Sequence, residues 1–228
     1  MTREPLTRAR VLSAAVALID AEGLQELSMR RLGRKLGVEA MALYRYVPSR
    51  ENLLDGVVET VIDELYADPQ VHLEPHHSWQ EYLVRLAHGV RRMALAHPQV
   101  FPAVATRPPA APWVRPPLRS LRWVEAILAG LMAAGFSRSD AVHAYRAFSS
   151  FLLGHLLLEV SALGVDTGPV DEPPPATSLG KAPADELAGY PLLVELAPLR
   201  SAFHFDQEFE ESLHNLLDRL GPGSGREE

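Results

Sequence analysis

A chain of 228 residues, 47% hydrophobic and 22% charged, is long enough for one sizeable core or for a small domain joined to a larger one. It has no cysteine, which excludes a disulfide framework, thiolate metal sites and a cysteine nucleophile. The net charge of -7 averages two unlike parts: residues 1–50 carry nine Lys/Arg against five acids, a net of +4, and the remainder carries -11.

In chain order the periodicity is helical almost throughout. Thr7 caps a helix with Val11, Leu12, Ala15, Leu18 and Ile19 on its apolar face, closed at Gly23. Ser28 caps a shorter helix that turns Met29, Leu32 and Leu36 inward and ends at Gly37. Residues 39–47 form a third helix of about two turns. Pro48-Ser49 restarts the chain into a fourth, striped by Leu53, Leu54, Val57, Val58, Val61, Ile62 and Leu65 to about Tyr66. Residues 67–77 read as a loop, and Ser78-Trp79-Gln80-Glu81 as a capping box opening a helix to about His97. After the proline-rich residues 107–117 come a helix over 117–134 and another from Ser137 or Ser139 to Leu163, apolar on nearly all sides from Phe148 to Val160. The prolines of residues 164–183 mark a mobile loop, and two last helices cover 190–199 and 206–220.

The expectation is an all-α chain: a basic helix-turn-helix head in residues 1–50, helix 49–66 as connector, and a larger helical domain over 67–228. Residues 141–163 are interrupted by His143, Arg146, His155 and Glu159, and no charged-then-apolar leader opens the chain. Neither membrane spanning nor secretion is therefore expected, and the default location is the cytoplasm.

The second and third helices with Gly37 between them have the proportions of a helix-turn-helix. At about 100° per residue, Leu43 and Val47 anchor the third helix while Met41, Ala42, Tyr44 and Arg45 face outward with Ala40 at the tip. The alternative is a surface helix that exposes a tyrosine and an arginine.

Residues 6–57, LTRARVLSAAVALIDAEGLQELSMRRLGRKLGVEAMALYRYVPSRENLLDGV, resemble the DNA-binding domain of the TetR family of transcriptional regulators, and within it the tetracycline repressors. The resemblance implies a homodimer, its last long helices forming a four-helix bundle, released from a palindromic operator by a ligand in the C-terminal domain. It gives Arg30 a base contact, for which a bidentate bond to guanine is the natural chemistry. Ser28, Tyr44, Tyr46 and Arg50 match positions used mainly on phosphates, and Met29 lies between two of the contact positions. Ala40, Met41 and Ala42 depart from the pattern. Apolar groups stand at Ala40 and Ala42, where the tetracycline repressors have polar ones, so a different operator is expected, contacted through groups such as thymine methyls, with Arg45 adding a base or phosphate contact. The arginines Arg3, Arg8 and Arg10 add electrostatic affinity or form a disordered tail.

The resemblance continues more weakly through residues 78–108 (SWQEYLVRLAHGVRRMALAHPQVFPAVATRP), AAGFSRSDAV and FLLGHLLLEV. Thr106-Arg107-Pro108 is retained, but Ala103 stands where the metal-binding histidine would be. Tyr66 replaces a histidine, Leu86 an asparagine and Val90 an aromatic. A hard dication has no direct protein ligand there. No metal or cofactor is therefore expected, and the effector pocket, lined by some of Tyr66, Leu86, Val90, Phe101, Ala103, Thr106, Trp123, Ile127 and Phe148, should suit an apolar or aromatic molecule other than tetracycline-magnesium.

Helices 139–163 and 206–220 are expected to form the dimer bundle, since a lone subunit would leave their apolar faces uncovered. Of the nine histidines, His76-His77 reads as a surface pair and His155 as a hydrogen-bonded interface residue. Glu159 lies near a position where the family places an acid beside the partner's pocket. An enzyme is disfavoured, because no G-x-S-x-G, H-E-x-x-H or phosphate-cradling glycine loop is present. The remaining alternative is a DNA-binding protein that works constitutively or through a protein partner, without a small effector.

Overall fold

The computed structural model describes residues 5–71, 78–106, 121–167, 189–196 and 204–222. Among these every regular element is helical: α1 (Arg8–Glu22), a 3-10 turn (Leu24–Glu26), α2 (Met29–Leu36), α3 (Ala40–Leu43), α4 (Arg50–Ala67), α5 (Trp79–Ala96), α6 (Phe101–Thr106), α7 (Leu121–Ala133), α8 (Arg138–Ala162), α9 (Pro191–Glu195) and α10 (Phe205–Arg219).

The boundaries follow from local chemistry. The hydroxyls of Thr7, Ser28, Ser49, Ser78 and Ser137 accept from backbone N–H groups in the first turns of α1, α2, α4, α5 and α8. Each satisfies a donor that the helix itself leaves unpaired. At Ser78 the box is reciprocal, with Glu81 accepting from the Ser78 N–H at 3.1 Å. Gly37, at φ 67° and ψ 35°, supplies the left-handed residue that ends α2.

α1 packs on α2 and α4, and α2 on α3, which makes a small three-helix head on the long connector α4. α4 then runs to α5 and α6, and α8 is the spine against which α5, α6, α7 and α10 lie. Buried residues of head and body form one continuous hydrophobic cluster.

The structure differs from the sequence reading in several places. The third helix is a single turn: beyond Leu43 the chain continues as a hydrogen-bonded turn, with the Tyr46 and Val47 N–H groups donating to the Leu43 carbonyl. Prolines on either side hid α6, but Pro102 sits at its second position, where a missing N–H costs nothing. Residues 107–120 and 168–188, which contain the two proline-rich stretches, lie outside the described residues, as do Arg3, His76, His77 and Trp113. The starting turn of helix 117–134 and the end of helix 190–199 also fall there. α9 exposes Tyr190, Leu192, Val194 and Leu196.

The largest correction concerns α10. Phe209, Leu213 and Leu217 are buried within their own subunit, where α10 lies against α8. The stripe therefore needs no partner to cover it. On α8 the expected all-round burial resolves into two faces. Phe148, Leu152, Leu156, Glu159 and Val160 point inward, whereas Leu158 is 70% exposed.

Candidate DNA interface and effector site

The head presents its functional side chains because α2 and α3 meet closely. Gly33 is buried at their crossing, where an added Cβ would sit 2.8 Å from the Val38 carbonyl oxygen. The Val38 N–H donates back to the Gly33 carbonyl at 2.9 Å. A side chain there would push α3 off α2, so Gly33 is a site determinant. Only Gly37 is legible in the sequence at this turn, because a glycine inside a helix does not announce what it touches.

With α3 seated by Leu43 and Val47, both essentially inaccessible, the outward side chains fall where the helix faces placed them. Met41 is 76% exposed, Tyr44 is 42% exposed, and Arg45 and Arg30 are exposed; Ala40, Ala42 and Tyr46 are half-buried. Met29 is half-buried, packed against the core. Ser28 is exposed; its Oγ accepts from the Arg31 N–H at 3.3 Å. That capping bond leaves its hydroxyl hydrogen to donate. Arg31, one residue from Arg30, is drawn away into ion pairs with Glu22 and Glu26. Arg30 makes no such pair among the described residues. Arg50 is half-buried at the first turn of α4.

In the body, Tyr66 of α4 stacks on Trp123 of α7, ring centroids 4.6 Å apart at 22°. Leu86 and Val90 of α5, Phe101 and Ala103 of α6, Trp123 and Ile127 of α7 and Phe148 of α8 are all buried in the common core. Thr106 does not join them: it is exposed, and its hydroxyl donates to the Pro102 carbonyl at 2.7 Å. Ala103 contributes a fully buried methyl. Trp123 is 6% exposed, and its indole Nε1–H is buried with no hydrogen-bond partner among the described residues. A buried donor left unmade costs about 1–3 kcal/mol, so it marks a place where an acceptor would be welcome.

Tyr82 was missed. It lies on the α5 face of Leu86 and Val90, four and eight residues earlier, and that spacing is the signal that could have found it. Burial, helped by the neighbouring Tyr66, pushes its phenol up to about 12. Trp79 packs edge-on against Phe136, centroids 5.0 Å apart. Among the described residues no group of three or more His, Asp or Glu is arranged to hold a metal ion.

On α8, His155 Nε2 is buried with no hydrogen-bond partner among the described residues of one subunit, and the ring packs among Phe151, Phe205 and Phe209. Burial pushes it below the ordinary histidine value, against the opposing pull of Glu159 and Glu208. Glu159, 5% exposed, is not offered to a partner's pocket, because Arg91 of α5 grips it at 2.5 and 3.0 Å.

Helices α2 and α3, with the left-handed Gly37 between them, define a helix-turn-helix DNA-binding head on a larger helical body. The particular family is equally plain: residues 11–57 match the bacterial regulatory proteins of the tetR family, and residues 73–221 match the tetracyclin repressor-like C-terminal domain. The chain belongs to this family of transcriptional regulators, which are DNA-binding proteins and not enzymes. It is 30% identical to the class C tetracycline repressor protein of Escherichia coli over 217 residues, covering 94% of this chain and 90% of that one. It is 32% identical over 158 residues to an HTH-type transcriptional regulator of Saccharopolyspora erythraea, a match covering 69% of this chain and 63% of the longer relative. Its fold is similar to that of the Streptomyces coelicolor TetR family protein ActR in complex with actinorhodin, with a TM-score of 0.69 at 29% identity, covering 98% of this chain and 100% of that one. Among the described residues no helix is long and apolar enough to cross a membrane.

Proposed function

We propose that this regulator is a homodimeric, cytoplasmic repressor that binds a palindromic operator through α2 and α3, and leaves it when a small apolar or aromatic effector enters the body. The boundary between head and body falls within α4. The observation that carries the reading is the outward face of the head: Arg30, Met41, Tyr44 and Arg45 are exposed while Leu43 and Val47 hold the helix down.

Arg30 takes a guanine edge, Met41 with Ala40 and Ala42 makes apolar contacts such as those to thymine methyls, and Ser28, Tyr44, Tyr46 and Arg50 hold phosphates. Duplexes selected by the protein from a random pool give the operator. On it, Arg30→Ala loses preference at one base pair of each half-site, at a cost of about 1–3 kcal/mol per half-site. Arg50→Ala instead weakens all sequences alike and lowers the salt slope by about two, one for each subunit. Equal affinity for both variants and the wild type in a gel-shift assay overturns the assignment.

The effector reading rests on the Tyr66–Trp123 stack and the indole N–H that meets no acceptor among the described residues, amid apolar side chains of the body's core. ActR, the related protein with actinorhodin bound, supports a small molecule as the effector class. Tetracycline-magnesium is excluded by chemistry, since a methyl at Ala103 cannot ligate an ion. A planar aromatic compound bearing a hydrogen-bond acceptor is the best match. Compounds of that kind that raise the melting temperature and release the selected duplex should bind Trp123→Phe about five- to a hundredfold more weakly, the equivalent of one lost donor. The same variant should bind the duplex unchanged in their absence. A library with no such compound rejects the effector part and leaves the DNA part standing.

A further inference from the structure

None of the nine histidines lies in residues 1–71, so no side chain of the head or of α4 has an ordinary titration near neutrality. One histidine nonetheless reaches them from the body. His97, the residue that ends α5, places Nδ1 2.8 Å from Asp20 Oδ2 of α1 and Nε2 3.0 Å from Glu64 Oε2 of α4. The two carboxylates lie on opposite sides of the ring, so they grip the imidazole between them. A ring with an acid on each nitrogen donates two hydrogen bonds only as imidazolium.

Its backbone is equally placed. The His97 carbonyl accepts from the N–H groups of Val100 and Phe101, opening α6, the helix that carries Phe101 and Ala103. His97 is thus the residue where the start of α6 and the last turns of α1 and α4 are tied together. The other charged groups of α5 nearby are engaged elsewhere: Arg92 on Asp68, and Arg91 on Glu159 and Asp206. α6 contributes no titratable side chain. Asp20 from α1 and Glu64 from α4 are the charges that face the ring.

We propose that His97 is a positioning residue for DNA binding: its protonated ring clamps α1 and α4 to the base of α6, and operator binding is tightened by that proton. The clamp limits how far the head swings on α4, so less orientational freedom is lost when DNA is bound. The bound state keeps the clamp closed more fully than the free state and takes up protons with it. Burial opposes the imidazolium, but the hydrogen bonds to Asp20 and Glu64 together outweigh it and hold His97 above its ordinary value. The sign follows: the clamp's contribution is fully present below the unfolded histidine value near 6.5 and is lost as pH rises through the higher folded value.

The test uses the full chain with His97→Gln, Glu64→Gln and Asp20→Asn. In histidine-ring NMR, His97 of the wild type should titrate with a midpoint above 6.5, and lower in Glu64→Gln, which alters a half-exposed side chain and leaves the fold least disturbed. On raising pH from 6 to 8.5, the melting temperature should fall more in the wild type than in His97→Gln. Wild-type affinity for a duplex that the protein has itself selected from a random pool should fall by about three- to tenfold over the same range, and that of His97→Gln should stay flat. A midpoint at or below 6.5, or the same pH profile in wild type and His97→Gln, overturns the proposal. The NMR and melting measurements need no DNA, so failure to select a duplex would count against the operator reading alone.

Discussion

Gly154→Arg makes the protein a monomer in sedimentation velocity, with its helices intact and its melting temperature unlowered at fixed protomer concentration. Ser150, Leu153, Gly154, Leu157, Leu158 and Ser161 lie on a stripe that the rest of the subunit leaves open: Gly154 and Leu158 are exposed, and Leu153 and Leu157 half-buried. An outward leucine beside the inward Glu159 inverts the usual order, and an apolar stripe of this kind on a soluble helix marks a surface that is covered in the working state. A second copy of α8 is the occupant proposed here, with the small Gly154 allowing two helix backbones to approach. Among the described residues a Cβ at Gly154 meets nothing within 4 Å beyond its own helix backbone. Arginine there costs the isolated fold nothing and removes a helix-interior glycine penalty of about 1 kcal/mol. Its bulk and charge act only against a partner. Loss of the dimer leaves one head per DNA molecule, so affinity for a palindromic site falls by roughly 10²-fold or more. Leu158→Glu should act the same way, and a dimer that survives both changes places the interface elsewhere.

What was legible in the sequence is what is decided within a few residues. Thr7, Ser28, Ser49, Ser78 and Ser137 each sit where a polar cap precedes an apolar stripe, and each caps a helix. Gly37 was readable because a left-handed residue after a helix has few candidates. The inward and outward sides of α3 came from helical angles alone. α6 was not legible, since Pro98, Pro102 and Pro108 read as breakers although one proline is harmless in a first turn. Nor was the crowding at Gly33, the grip of Asp20 and Glu64 on His97, or the pairing of Arg91 with Glu159. Those partners lie 77, 33 and 68 residues apart, and nothing in local periodicity brings them together. The largely apolar run of α8 withheld its two faces for a related reason: its polar residues Ser149 and Glu159 are buried and His155 is half-buried, so they do not mark the solvent side.

Arg91→Ala should be the most destabilising single change in the body. Glu159 is 5% exposed and held by two hydrogen bonds from Arg91, whose guanidinium also pairs with the exposed Asp206 and lies 5.1 Å from the centre of the Phe209 ring. The Glu159 hydrogen bonds, the leading influence, outweigh burial and hold the guanidinium more firmly protonated than usual. Truncating the cation strands a carboxylate in the interface of α5, α8 and α10, and breaking one side of such a pair costs about 3–5 kcal/mol. In a domain of this size that is roughly 6–20 °C in melting temperature. The cost is a penalty for the charge left behind, not the worth of the pair, because forming the pair already requires both groups to leave water. The discriminating variant is therefore the double change Arg91→Leu with Glu159→Leu, which removes both charges and fills the space with hydrocarbon. It should recover most of the lost stability, with Asp206 returning to solvent. A double variant as unstable as Arg91→Ala would mean that geometry rather than burial makes this network necessary: the guanidinium that joins α5 to α8 and α10 would then be what holds α10 in place.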